Sequence, residues 1–172
     1  TDWSLDADAR ELLAFTARMI QLRMAEPVLR RRSFFQSREL SGGDARDIVW
    51  LDPSGGELSD HAWHAELNSF GMLLHGEAID ECDDRGRRIH GDTLAVLFNA
   101  GASPRPFVVP QVTGGGHWRL EVDTARVDAA ASLLPGGSPC LLDGRSIAVL
   151  RLVSPDNPVL TPTTTPGGTH GQ

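Results

Sequence analysis

The chain has 172 residues, of which 40% are hydrophobic and 23% charged, so one good-sized globular core is expected. All 16 positive charges are arginine, and the net charge of −7 argues against sequence-independent nucleic-acid binding, which needs an excess of basic side chains on one face. No apolar run approaches the roughly 20 residues that span a bilayer, and the first ten residues are too acidic for a signal peptide. We therefore expect a cytoplasmic protein with no nucleic-acid or membrane partner.

The first predicted element is an amphipathic helix, whose apolar side chains recur at steps of three and four. Asp6 and Asp8 suit its first turn, and Pro27 is expected to end it because proline disfavours helical geometry in the preceding residue. No second amphipathic helix follows before Asp47, so the stripe is expected to dock on chain outside this sequence. The stripe consists of Leu12, Leu13, Phe15, Met19, Ile20, Leu22 and Met24.

Arg30, Arg31 and Arg32 are followed by Phe34 and Phe35, a pattern with two interpretations. Arginines beside aromatic side chains can bind single-stranded nucleic acid. A run of three charges is more often a solvated face, and the acidic balance of the chain favours that interpretation. We expect three solvated arginines, with the two phenylalanines beginning the core of the segment that follows.

The stretch from Asp47 to Trp63 combines strand, turn and helix signals without a gap. Its first residues are β-branched, aromatic or aliphatic and predict a strand, which the Pro53–Gly56 cluster ends with a turn. Ser59 stands where the N-cap of a short helix is expected, and Asp60 suits the positive end of the helix dipole. Trp63 is predicted to anchor this helix.

Beyond this point the pattern predicts short strands divided by turn residues, which favours an antiparallel sandwich. Thr93–Asn99 is apolar on both faces and should be a central strand, and Ser146–Leu152 has the same character. Prolines around Phe107 put that strand at an edge, and alternation over Trp118–Asp123 predicts one buried and one wet face. The predicted strands are Asp47–Leu51, Phe70–His75, Thr93–Asn99, Phe107–Val109, Trp118–Asp123 and Ser146–Leu152.

Two further segments carry weaker signals. Residues Val127–Leu134 are compatible with one short helix. Residues 155–172 are rich in Pro, Thr and Gly with hardly an apolar side chain, which predicts extended surface chain or poor order and no function.

Metal binding finds little support in the sequence. An EF-hand loop beginning at Asp80 would need Gly at its sixth position and Glu at its twelfth, where Arg85 and Gly91 stand. A solvated turn with Asp84-Arg85-Gly86 at its tip is the preferred interpretation. His61 and His64 lie three residues apart but in no strong ligand motif, so we predict no metal site and no cofactor.

Catalytic motifs are also missing from the sequence. It contains no G-x-S-x-G motif, and the absence of lysine excludes a Walker A loop. Cys82 and Cys140 are predicted to be reduced thiols, and Gly114–Gly116 to be a flexible hairpin loop. Tryptophans can form sugar-stacking platforms where they are exposed, but burial is expected of Trp50 and Trp118 in their strands; Trp3 and Trp63 lie outside the strand patterns.

A family resemblance rests on motifs that span residues 3–152. They are Leu22-Arg23, Glu26-Pro27-Val28-Leu29, Arg31-Arg32-Ser33-Phe34-Phe35-Gln36, Asp47-Ile48-Val49-Trp50-Leu51, Pro53-Ser54-Gly55-Gly56-Glu57, Trp63, Gly76-Glu77-Ala78-Ile79-Asp80, Asp83-Asp84-Arg85-Gly86 and Leu97-Phe98-Asn99-Ala100. In this order they resemble the C-terminal part of a bacterial glycogen debranching enzyme of the isoamylase type, in the α-amylase superfamily of glycoside hydrolases.

The resemblance implies a mainly β fold: an antiparallel β-sandwich C-terminal domain preceded by the last helix of a (β/α)8 barrel. Residues 1–36 would end the catalytic barrel, residues 37–154 form the sandwich, and residues 155–172 the tail. The parent would hydrolyse α-1,6-glucosidic branch linkages in glycogen or limit dextrin with retention, by means of carboxylates on the upstream barrel. Its catalytic motifs are absent here, so no catalytic residue is assigned, and substrate-binding residues are unknown.

Two functional hypotheses follow. The first is a structural portion of a debranching enzyme, inactive alone, whose partners are the upstream barrel of the same polypeptide and glycogen or branched maltodextrin as the parent's substrate. Trp50 and Trp63 are then predicted to hold barrel and sandwich together. The second is a non-catalytic glycan-binding β-sandwich module that uses exposed tryptophans.

Overall fold

A computed structural model describes residues 5–37, 46–64, 67–112, 116–127 and 130–153. Two α-helices, two short 3-10 helices (Pro27–Leu29 and Gly76–Ala78) and eight β-strands make up its regular structure. The helices are α1 (Ala7–Ala25) and α2 (Asp60–Trp63). The strands are β1 (Ile48–Leu51), β2 (Ser69–Leu74), β3 (Leu94–Asn99), β4 (Arg105–Val108), β5 (His117–Asp123), β6 (Leu133–Pro135), β7 (Pro139–Leu142) and β8 (Ser146–Val153).

The strands form two antiparallel sheets, which confirms the mainly β prediction. The larger sheet has the order β1-β2-β3-β8-β5-β6, and β4 pairs with β7 in a second sheet of two strands. All six predicted strands are present within one or two residues of their expected ends. β6 and β7 were not predicted. The short helix expected over Val127–Leu134 is wrong, because Leu133 and Leu134 pair with Arg119 and Trp118 of β5.

The central strand β3 divides two apolar cores. On one face Ala95 and Leu97 pack with Trp118 under the two-stranded sheet, which contributes Phe107 and Leu142. On the other face Leu94 and Val96 pack beneath the chain segments that carry Val28 and Ile79. The prediction of a central strand covered on both sides is confirmed, and β4 is the predicted edge strand, with β7 as its one strand partner in the described structure.

The first helix begins and ends where the sequence predicts. Asp6 is the N-cap, and its Oδ1 accepts a hydrogen bond of 2.8 Å from the backbone N–H of Ala9. Glu26 leaves the helical region with φ −100° and ψ 105°, as expected before Pro27. α1 has no buried residue. Its apolar stripe is therefore largely uncovered in the described structure.

The stretch from Asp47 to Trp63 also folds as predicted. β1 ends in a turn in which Gly55 adopts φ 84° and its N–H donates to the carbonyl of Asp52 at 3.0 Å. Ser59 is the N-cap of α2, with its Oγ accepting from Ala62 N at 3.3 Å. Trp63 packs edge-on against Trp50. This segment attaches α2 to the outer strand of the large sheet.

Two further expectations from the sequence are wrong. A β-bulge at Glu121 interrupts the alternation of β5, so that Leu120 pairs with Leu150 but Val122 with its neighbour Val149. The alternation therefore stops at the bulge, and Asp123 is buried instead of wet. The strands on either side of the hairpin loop expected at Gly114–Gly116, β4 and β5, belong to different sheets. Of the three glycines only Gly116 lies within the described residues, so the loop itself lies outside them.

The second of these corrections concerns the arginine run. Arg31 is not solvated: its side chain is 6% exposed and pairs with Asp47 at 3.2 Å. The two phenylalanines do not begin a core. Phe34 is 92% exposed, and the Phe35 ring lies under the Arg31 guanidinium, with 4.5 Å between the ring centroid and Cζ of Arg31. Arg30 and Arg32 are exposed, as predicted.

Candidate functional site

The residues tested for chemistry from the sequence do not come together. Within the described ranges, no group of three His, Cys, Asp or Glu side chains could hold a metal ion. His61 and His64 are exposed on α2 and its C-cap. Asp83 accepts hydrogen bonds from the N–H groups of Arg85 and Arg87, both at 2.9 Å, and so closes the predicted solvated turn.

The two cysteines carry free thiols, as predicted. Burial raises the pKa of Cys140, and Asp123 adds to that effect, so this thiol is a poor nucleophile at neutral pH. Cys82 is exposed. The predictions for Trp3 and for the tail of residues 155–172 lie outside the described residues.

The most developed polar arrangement lies where α1 meets the sheet. We call Glu26, Asp92, Glu121 and Arg151 the helix–sheet junction. Arg151 contacts Glu26 Oε1 at 2.5 Å through Nη1 and Glu121 Oε1 at 2.8 Å through Nε, and Nη1 also contacts Asp92. Arg18, two turns earlier on α1, donates to the backbone carbonyls of Glu121 and Val127. The helix is thus tied to β5 and β8 by polar contacts more than by apolar ones.

Burial dominates the electrostatics of this junction. It raises the pKa of Glu26 above its ordinary value of 4.5, and the opposing attraction of Arg151 does not cancel the effect. Burial also lowers the pKa of Arg151, but Asp92, Glu26 and Glu121 together outweigh it and keep the guanidinium charged. Arg151 therefore contacts three carboxylates where the helix ends, and Arg119 is a second cation on Glu121, at 2.7 Å.

The large sheet and α1 also carry apolar side chains that the described chain covers only in part. On the large sheet, Trp50 contacts Trp63 at 5.2 Å and Phe70 at 5.9 Å between ring centroids, and Phe70 stacks on Phe98 at 4.9 Å. Trp63 is 43% exposed. The outward side of α1 adds four side chains that are each more than half exposed: Leu12, Leu13, Ile20 and Met24. We call these residues together the open face.

A separate cleft of about 470 Å³ lies at the end of the sheet where β1 stops and β2 starts. We call it the loop cleft. Asp52, Asn68 and Arg105 provide polar groups at its wall, and Pro53 and Leu58 provide apolar ones. It is distinct from the open face in composition, since no aromatic residue lines it.

Comparisons with known proteins identify the relatives of this chain. A glycogen operon protein GlgX homolog from Mycobacterium tuberculosis is 38% identical over 125 residues, which cover 72% of this chain and 17% of that protein. The recognition of an isoamylase-type segment is confirmed. An isoamylase from Pseudomonas amyloderamosa is 24% identical over 83% of the chain and 16% of its own length. A glycogen debranching enzyme from Yersinia enterocolitica is 45% identical over 62 residues, 36% of this chain and 8% of that protein.

The chain therefore spans about a sixth of the length of the first two of these curated relatives. No protein-family model matches it. No described helix has the length and apolar character needed to cross a membrane. The shared sequence supports membership among glycogen debranching enzymes of the isoamylase type, while the activity of the whole protein is a separate question.

Sequence reasoning missed the helix–sheet junction, although one signal for it was present. Arg151 is a lone charge in Ser146–Leu152, a strand predicted to be covered on both faces. A charged side chain in such a strand is expected to have a buried partner. Its partners could not be read from the sequence, because Glu26, Asp92 and Glu121 come from three distant segments.

Proposed function

We propose that this chain is the C-terminal structural portion of a glycogen debranching enzyme whose parent hydrolyses α-1,6-glucosidic branch linkages in glycogen or limit dextrin. Residues 1–36 would belong to the end of the catalytic barrel, residues 37–154 to the sandwich, and residues 155–172 to a tail. The name of one relative, a glycogen debranching enzyme, supports the debranching assignment. The cytoplasmic location stays a prediction.

The observation that carries the structural role is the open face. Exposed apolar side chains of this kind, on a helix and on a sheet, are typical of a surface that another part of a protein covers. Leu13, Ile20 and Met24 follow one another at steps of seven and four and share one side of α1. The proposed partner is the upstream barrel of the same polypeptide, with α1 as its last helix.

The chemistry of the parent would take place on that barrel. Retaining hydrolysis of a glycosidic bond needs two carboxyl groups about 5 Å apart across the bond. Here the carboxylates of Glu26, Asp92 and Glu121 are held by Arg151 in an ion-pair cluster, in which Glu26 and Asp92 share Nη1. The catalytic motifs that the family resemblance leads one to look for are absent from this chain, so we expect the chain alone to be inactive.

The direct test compares this chain with the full parent. Release of reducing ends from glycogen phosphorylase limit dextrin is expected from the parent and not from the chain. Debranching by the purified 172-residue chain would contradict the proposal. Light scattering is a second readout, because the uncovered open face should promote self-association of the chain.

Paired variants sharpen that readout. The double variant Leu13→Gln/Ile20→Gln removes apolar side chains from α1 and is expected to shift the chain toward monomer. Leu141→Gln is the matched control, since Leu141 is 57% exposed on β7, in the other sheet. Equal effects of the two changes would argue against the open face as the covered surface.

The alternative function is a glycan-binding module, favoured by the 43% exposure of Trp63. Affinity electrophoresis in glycogen separates the two hypotheses. Unretarded migration disposes of the alternative, whereas retardation that Trp63→Ala abolishes would support it.

A further inference from the structure

We propose that the loop cleft is a non-catalytic subsite for a neutral α-linked glucose oligosaccharide, separate from the open face. The cleft lies where β1 and β3 end and β2 and β4 begin, so four chain segments build its wall. Its volume of about 470 Å³ falls within the range of about 300–1,000 Å³ for small-molecule sites.

The floor of the cleft is rigid because its buried amide is fully bonded. Asn99 is 3% exposed, and its Nδ2 donates to the carbonyls of Ser103, Leu142 and Asp143 at 2.9 to 3.2 Å. Its Oδ1 accepts from the hydroxyl of Ser69 and from Gly101 N, both at 3.1 Å. These contacts fix the ends of β2 and β3 and the loop before β4, so the wall is formed before any ligand arrives.

The remaining polar side chains keep free bonding capacity. Asp52 uses Oδ1 for the N–H and hydroxyl of Ser54, at 2.7 and 2.6 Å, whereas its Oδ2 has no partner among the described residues. The side chains of Asn68 and Arg105 likewise make no hydrogen bond or ion pair within the described part of the chain, and both are exposed. The cleft wall therefore presents a carboxylate oxygen of Asp52, the amide of Asn68 and the guanidinium of Arg105.

This combination suits a neutral polyhydroxyl ligand. An anion would be attracted by Arg105 and repelled by Asp52, and a cation would be attracted by Asp52 and repelled by Arg105. A sugar hydroxyl, in contrast, can donate a hydrogen bond to the carboxylate and accept one from the guanidinium. Pro53 and Pro104 offer apolar surface for the C–H faces of the sugar rings. The choice of glucose units rests on the proposed function, in which the parent acts on branched glucan.

The experiment titrates maltoheptaose into the isotopically labelled 172-residue chain and follows backbone amide shifts. Shifts are expected at the cleft wall, around residues 52, 68 and 105. Arg105→Gln should raise the dissociation constant about tenfold, because the ligand loses a hydrogen bond to a charged group. Arg85→Gln is the matched control at an exposed arginine outside the cleft, and its dissociation constant should match that of the unchanged chain.

Several outcomes of this titration would overturn the proposal. Absence of amide shifts at the cleft with millimolar maltoheptaose overturns the proposal. Loss of binding in Trp63→Ala together with unchanged binding in Arg105→Gln also overturns it, because the ligand would then bind at the open face. Tighter binding of inorganic phosphate than of maltoheptaose overturns the neutral-ligand argument. Debranching by the parent is measured separately, so a parent without that activity refutes the proposed function even where the cleft binds glucan.

Discussion

Replacing Arg151 by methionine tests whether the helix–sheet junction holds the helix on the sheet. The Arg151 side chain is 13% exposed, and that of Glu26 is 4% exposed. Removing one partner of a buried pair costs about 3–5 kcal/mol because the remaining charge is uncompensated. Asp92 is a third exposed and better screened by water, so the lower end of this range, about 3 kcal/mol, is expected. A domain of this size has about 5–15 kcal/mol in total, which makes the loss easy to measure.

The loss is also expected to depend on pH. Burial raises the folded-state pKa of Glu26 above 4.5, and removing Arg151 takes away the attraction that opposes this effect. A carboxyl with a raised folded pKa destabilises the fold only when it ionises. The penalty is therefore absent below about pH 4.5 and appears as the pH rises through the folded pKa. Arg151→Met should cost more at pH 8 than at pH 5.

Urea unfolding monitored by tryptophan fluorescence measures both effects. Glu26→Gln is the companion variant, and the double variant Glu26→Gln/Arg151→Met completes a thermodynamic cycle. Because the double variant no longer buries an uncompensated Glu26, it should be more stable than Arg151→Met alone at pH 8. A loss below about 1 kcal/mol, with the same value at both pH values, would refute the reasoning and place the junction among weak surface ion pairs.

Three further predictions concern other parts of the fold. Asn99→Asp should destabilise more than Asn99→Ala at pH 8 by urea unfolding, because a buried carboxylate would face the three carbonyls that the amide now serves. Burial, aided by Arg46, lowers the pKa of His75 below 6.5. The stability of the fold should therefore fall as the pH drops below that value. In His75→Gln the difference between the melting temperatures at pH 7.5 and pH 5 should be smaller than in the unchanged chain. Gly76→Ala should lower the melting temperature far more than Gly86→Ala. A Cβ at Gly76 would lie 2.0 Å from the carbonyl oxygen of Gly91. At Gly86 a Cβ would meet open space, and the only cost is the strain of its φ of 74°.

The six predicted strands were readable because their signals are local. β3 and β8 are apolar on both faces, and β1 is bounded by a proline-glycine turn. β6 and β7 gave no such signal: each is short and contains proline, and each becomes a strand through pairing with β5 or β4. Short strands of this kind depend on partners distant in sequence, which a local pattern cannot show.

The polar features were hidden for a related reason. Arg31 stands in a run of three arginines that looks solvated, yet Asp47, sixteen residues later, draws it into a buried pair. The bulge at Glu121 coincides with its contacts to Arg119 and Arg151, which share one carboxylate oxygen. The loop cleft is assembled from four strand ends. Each of these features depends on which segments meet, and that follows from topology.

The core around Trp118 and the aromatic side chains of the open face lie on opposite faces of the large sheet, since Trp50 and Phe98 pack against the second core. The core around Trp118 lies between the two sheets and is closed, with the indole Nε1 donating to the carbonyl of Pro110 at 2.8 Å. None of its buried members belongs to the open face. Changes on the outer side of α1 should therefore alter association without unfolding the sandwich, whereas Trp118→Ala should cost about 3–5 kcal/mol and leave the aromatic contacts of Trp50 and Trp63 untouched in the fraction that remains folded.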